Sequence, residues 1–143
     1  MADLSITAAS LAFSAAALAT RQRAISGAAL AQGDIVYVSA GVANLADGDS
    51  ATAAARVPAG MACNAVAAGG QPVEYIDLDE ALTLGSHGLA INTVLVLSRT
   101  AGKMMPVADL ATGDYGAVLA IVKSATQISF NARQLLQSGA ATA

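Results

Sequence analysis

The chain predicts an all-β fold, a small barrel or sandwich of short strands, and three observations carry that expectation. The segment LAQGDIVYVS at 30–39 returns as LAINTVLVLS at 89–98, with apolar side chains at alternate positions in both copies. Turn signals at close spacing divide the chain into strands of a few residues. No strand alternates with a helix of ten or more residues, which argues against an α/β architecture. An Ala-Asp turn follows each copy, Ala46-Asp47 and Ala108-Asp109. The building block is therefore a β unit of about 60 residues, duplicated as 28–78 and 87–131. A β-rich body over 21–131 carries both units, with 1–20 as an N-terminal arm or short helix and 132–143 as a C-terminal tail.

Residues 1–20 are Ala-rich and carry one charge, Asp3. Ser5 to Thr20 can form a short helix capped by Thr7 or Ser10, or an extended arm, because Ser and Thr interrupt the apolar pattern. No core partner for this segment is visible in the sequence, which leaves packing on a neighbouring subunit or partial disorder as the two expectations. The apolar stretch 11–19 lacks the basic residues that open a secretion signal, and it is not expected to be one.

Residues 21–26 alternate as a short edge strand ended by Gly27. Gln32-Gly33-Asp34 turns into the strand 34–39, where Ile35, Tyr37 and Ser39 face one way and Val36 and Val38 the other. The returning hairpin arm is 41–45. One helical turn is expected within 47–55, then a strand over 57–65 with Pro58 near its start, as an edge position allows. Gly69-Gly70-Gln71-Pro72 is the strongest turn signal in the chain. A strand over 73–78 follows, and 81–84 continues it or pairs with it.

Gly85 to Gly88 breaks the pattern. The second copy opens with 93–98, turns through 100–103 and returns along 104–107. A short helical turn is expected at 110–113. The apolar run 115–123 reads as a central strand covered on both faces, and 124–126 turns it back into 127–131. In the tail, Leu135 and Leu136 are expected to anchor a final turn.

Composition bounds the function. The chain has 143 residues, 55% of them hydrophobic and about a quarter alanine, with 3% aromatic and no Trp. Small side chains bury little area each, at about 25 cal/mol per Å², so association into an oligomer is expected. The net charge is −3, and the seven Lys and Arg are scattered. Nucleic-acid binding needs clustered positive charge and is not expected. No run reaches the 18 or more apolar residues of a membrane span, so no membrane partner is expected either.

Chemistry is sparse. His87 is the single histidine and Cys63 the single cysteine. A zinc site needs more nitrogen and sulfur ligands than these, and a general base needs an orienting carboxylate. His87 reads as an exposed loop residue and Cys63 as an inert strand residue. Asp47-Gly48-Asp49 opens like a calcium loop but lacks the later carboxylates. Asp77, Asp79 and Glu80 read as a solvated turn. A small hydrolase would require His87 to meet Asp77 or Asp79. No enzyme activity, cofactor or metal is expected.

The segments GAALAQGDIVYVSAG, PAGMACNAVAAGGQPVEY and GLAINTVLVLSRTAGKMMPVADLATGDYGAVLAIVKSATQISF resemble the small β-rich virion proteins encoded beside the major capsid protein of tailed bacteriophages. These are the head decoration, or cement, proteins. The resemblance is one of layout and covers about 28–131. It implies a homotrimer on the outer surface of the capsid, bound to the major capsid protein and bridging capsomers. A tail, baseplate or fibre module is the alternative, since comparable segments occur there. On this reading the contacts to capsid or neighbour come from Leu4, Ile6, Leu11, Phe13, Leu18, Arg21 and Arg23. The loops at 85–88 and 100–103 are expected to be exposed, and Arg21 and Arg23 to face an acidic shell.

Overall fold

A computed structural model describes residues 3, 4, 6 and 9–132. It is all-β, with ten strands among the described residues and one short helix, α1 (Ala15–Ala19). The strands are β1 (Gln22–Ser26), β2 (Ile35–Ser39), β3 (Val42–Leu45), β4 (Gly60–Ala62), β5 (Pro72–Ile76), β6 (Leu78–Thr83), β7 (Val94–Leu97), β8 (Met104–Pro106), β9 (Val118–Val122) and β10 (Gln127–Asn131). Single 3₁₀ turns occupy Ala53–Arg56 and Val107–Asp109.

β1 to β5 form a closed barrel, and β6 to β10 form a five-stranded sheet. The two have the same strand order. The barrel runs β3, β2, β4, β5, β1, and the second sheet runs β8, β7, β9, β10, β6. The repetition reaches single hydrogen bonds. Gly33 N–H donates to Ala62 O at 2.9 Å, and Ala62 N–H to Asp34 O at 2.8 Å. In the second unit Asn92 N–H donates to Val122 O at 2.8 Å, and Val122 N–H to Thr93 O at 2.9 Å. The turns that lead in are alike too: Gly33 (φ +94°) and Asn92 (φ +71°) take the left-handed third position, which favours Gly and Asn.

The repeat therefore starts one strand earlier than the sequence pattern implies. β1 and β6 belong to the units, which meet at Asp77, between β5 and β6. The expected single strand over 73–78 is cut there. β1 is also not an edge strand: it pairs antiparallel with β5 and parallel with β3, and this closes the barrel.

Both faces of β2 are buried, each in a different core. Val36 joins Ala24, Leu30, Ala43, Ala62, Val66, Val73 and Tyr75 inside the barrel. Ile35 joins Met61 and Ile76 on the barrel's outer side, against Leu82, Leu95, Leu97, Leu119, Ile128 and Phe130 of the second sheet. The alternation read from the sequence thus assigns the two faces correctly. Ala24, Ala43 and Ala62 point inward because a five-stranded barrel leaves room only for small side chains between its larger ones.

Other boundaries shift for local reasons. β4 is only three residues long because Val57 closes the preceding 3₁₀ turn and, beyond Cys63, the Asn64 side chain accepts from Glu74 N–H in place of a backbone oxygen. The second 3₁₀ turn falls at Val107–Asp109, directly after β8, and not at 110–113. β9 is central, between β10 and β7, but it is not covered on both faces. A register shift against β7 turns Leu119 and Ala120 both inward and leaves Ile121 exposed.

The units are laced together by backbone. Ile35 N–H donates to Gly102 O at 2.9 Å and Gly102 N–H to Ala46 O at 2.7 Å. Gly48 N–H reaches Ser98 O, and Tyr115 N–H reaches Gly48 O, both at 2.8 Å. Above this junction the Arg56 guanidinium stacks on the Tyr115 ring, 3.8 Å from its centroid.

Candidate interaction surfaces

The first candidate region is the N-terminal segment, and it has a core partner in its own chain. Its end strands β6 and β8 leave the second sheet open where β1 and β3 close the first. The arm runs to both edges. Leu4 N–H donates to Met104 O on β8 at 2.7 Å, and Ala12 exchanges two 2.9 Å hydrogen bonds with Thr83 on β6. Asp3 accepts a short hydrogen bond from the Ser98 hydroxyl. Leu4, Leu11 and Ala17 are buried in the core between the sheets, and Ile6 and Phe13 pack against it. The arm passes so close to the turn before β2 that a Cβ on Gly33 would lie 3.0 Å from Ile6 and 3.2 Å from Leu11.

This placement corrects the expectation that the segment lacks a partner within the chain. Leu4 and Leu11, named as contacts to capsid or neighbour, are interior here, and Ile6 and Phe13 are only half exposed. Leu18 is half-buried on α1. The helix itself is capped by the Ser14 hydroxyl, which accepts from Ala17 N–H, and not by Ser10; Thr7 lies outside the described residues. Ser14 N–H donates to the buried carboxylate of Asp79 at 2.9 Å, and a second oxygen of Asp79 accepts from Ala81 N–H. A groove of about 460 Å³ remains between α1 and β6, lined by Ser14, Ala17, Thr20, Leu78, Asp79 and Ala81.

The second region is the outer face of β1. Arg21 and Arg23 are exposed, and both reach one oxygen of Glu74 on β5, at 3.0 and 3.2 Å. Arg21, then Arg23, hold the Glu74 carboxyl below its ordinary range. Arg23 and Ile25 point outward because Ala24 and Ser26 point into the barrel. Ile25 is 46% exposed, with Val42 of β3 and Pro72 of β5 as its register partners on either side. The result is an apolar strip, Val42, Ile25 and Pro72, beside two arginines that share one carboxylate. The periodicity of 21–26 signalled this strand, but Val42 and Pro72 join the patch only through pairing, which no local pattern announces.

The residues considered for chemistry are held in structural roles. His87 is half-buried; Nε2 lies 2.8 Å from Ser124 O, and Nδ1 accepts from Leu89 N–H at 3.1 Å, so both ring nitrogens meet backbone. Asp77 accepts from Gln22 Nε2 at 2.9 Å, while Asp79 ties down α1. The histidine and the carboxylates that a hydrolase would combine are thus engaged separately. Cys63 is half-buried, and burial, reinforced by the nearby Glu74 charge, pushes its thiol up to about 11. Asp47 accepts from Asp49 N–H at 3.3 Å in a local turn, and burial raises its pKa. Among the described residues, no three His, Cys, Asp or Glu gather as a metal site requires.

The loops also differ from one another. Ser86 and Gly88 are exposed as expected, whereas Gly102 is buried, with a Leu45 methyl 2.7 Å from where a Cβ would lie. Arg99, one residue before the 100–103 turn, forms a 2.7 Å ion pair with buried Asp114. Leu135 and Leu136 lie outside the described residues. Among the described residues no helix is long and apolar enough to cross a membrane. No protein-family model matches this chain, and neither does any curated protein.

Proposed function

We propose that this chain is a virion structural protein that binds the outer surface of a tailed-phage capsid as a homotrimer and braces contacts between capsomers. The resemblance of layout over 28–131 supplies the class, and the exposed face of β1 carries the mechanism. An apolar strip of Val42, Ile25 and Pro72 has the character of an interface centre, and Arg21 and Arg23 at its border have that of an interface rim. One carboxylate serves both arginines, so the patch keeps an excess positive charge on a chain whose total is −3. Such a patch fits an acidic partner surface, here the major capsid protein, by charge complementarity. The side chains that a hydrolase would need are committed elsewhere, and no observation favours the tail or fibre reading over this one.

The test is co-sedimentation of the purified protein with undecorated capsids. The natural chain should saturate the capsid at a fixed stoichiometry. Replacing the two outward residues of the strand, Arg23→Glu with Ile25→Asp, should weaken binding at least tenfold while leaving circular dichroism unchanged, because both side chains point away from the core. Absence of binding by the natural chain under assembly conditions would sink the proposal.

A further inference from the structure

The two units differ in how they are sealed. The barrel closes from within its own sequence, by the parallel pairing of β1 and β3. The second unit, with the same strand order, is sealed from outside it, by a segment that precedes the first unit. The seam between β6 and β8 therefore behaves as a binding site for an extended peptide. It offers Met104 O on one edge and the N–H and C=O of Thr83 on the other, and it buries apolar side chains at the positions of Leu4 and Leu11. This is main-chain recognition with side-chain anchors, the pattern of strand addition.

Nothing in that pairing requires the peptide to come from the same chain. The tether between Ala12 and β1 contains only α1, a helix of five residues. A helix that short has no stability of its own, since nucleation is not offset by enough propagation. The groove beneath it leaves Ala16 and Thr20 exposed and α1 incompletely packed. Drawn out, the residues from Ser14 to Arg21 span about 25 Å, at roughly 3.3 Å each, enough to cross a subunit boundary. An arm seated in a neighbour's seam makes the same hydrogen bonds and buries the same leucines, so exchange costs only the hinge and association.

We propose that in the assembled oligomer the segment of each copy that carries Leu4, Leu11 and Ala12 occupies the β6–β8 seam of the next, so that the copies are linked head to tail in a closed ring. This rests on the self-association proposed above and is independent of the capsid. It also gives the alanine-rich body an oligomer contact that needs no large apolar surface.

The test uses full-length protein with Cys63→Ser as background and cysteines at the one bridge the arm makes with β6. Chains carrying Ala12→Cys are co-expressed with size-tagged chains carrying Thr83→Cys and then oxidised without capsid. Exchange predicts disulfide-linked pairs of one tagged and one untagged chain as the main product on a non-reducing gel. The double variant, Ala12→Cys with Thr83→Cys, should run as covalent rings and not as single chains. Intrachain disulfide alone in the double variant, with a trimeric solution mass, overturns exchange and leaves the trimer standing. A monomeric mass overturns both. Because the intrachain product itself shows that the seam has formed, failure to fold cannot pass for failure to exchange.

Discussion

Gly60 sits directly against the backbone of β5. A Cβ there would overlap the carbonyl oxygen of Ile76, which is backbone and cannot rotate away. Gly60→Ala should therefore lower stability by about 1–3 kcal/mol or more, read as a fall in the denaturation midpoint. Cys63 makes a different kind of prediction. Burial and the Glu74 charge disfavour its thiolate, moving the pKa from 9.0 to about 11. At neutral pH the folded protein should hold about 100-fold less thiolate than the unfolded chain, and alkylation by a maleimide should be slower in proportion. The neutral thiol is the form the fold favours. Its contribution to stability is complete below about pH 9 and is lost as pH rises through about 11. A folded-state alkylation rate equal to that of the denatured protein would contradict this. Glu74 has the opposite sign: held low by Arg21 and Arg23, it contributes above its ordinary range and ceases to as pH falls through its depressed pKa.

Among the elements, the β2–β3 hairpin carries correctable strain. Its two-residue turn has Ala40 at φ +53° and Gly41 at φ +80°, the left-handed pair of a type I′ turn. Alanine is strained there, and Asn-Gly is the preferred sequence. Ala40→Asn should raise stability by about 1 kcal/mol, measured by thermal or denaturant unfolding. The arm is the element whose removal should be most local. Leu11→Ala is expected to cost about 2–5 kcal/mol. Hydrogen exchange should show where: the Thr83 amide, bonded to Ala12, should lose protection while amides inside the barrel keep theirs. Equal loss at both places would mean that the arm and the barrel unfold as one unit.

The same elements show how far the sequence could be read. β2, β3, β7, β8 and β10 follow from alternation and turn residues, because each has one or two continuous apolar faces. β1 and β6, QRAIS and LDEALT, carry too many polar side chains on their outer faces to be recognised as members of the units. The parallel closure of β1 on β3 left no signal, since strand direction is not encoded in a strand's own pattern. The place of the arm is hidden in the sequence for a related reason. Leu4, Ile6, Leu11 and Phe13 follow neither helical nor strict strand spacing, because the segment crosses two sheets and does not lie along one. Of the candidate surface, Arg21 and Arg23 were legible as charges on a short strand. Ile25 becomes part of a patch only when Val42 and Pro72 are brought to its sides.

At the scale of the whole molecule, the pairings divide cleanly. Every strand pair of the barrel falls within 22–76, and every pair of the second sheet within 78–131. The barrel also encloses its own apolar cluster, all of it between Ala24 and Tyr75. Between the units lie the larger core and the backbone bonds through Gly48 and Gly102, which make two similar halves into one body. This division has a consequence in time. On the ribosome the barrel has all its strands in hand as soon as Ile76 has left the exit tunnel, and domains fold as units in the order in which they emerge. The arm is synthesised before both units, yet the last strand it needs, β8, is made only after β7. A segment made before either unit is therefore among the last to find its place. From the emergence of Ile76 until β8 follows it, a nascent chain carries a barrel with all its strands while one edge of the arm's seam is still to come. On a polysome the arms of neighbouring chains are held close together before their own seams are complete, the setting in which the proposed exchange would be made.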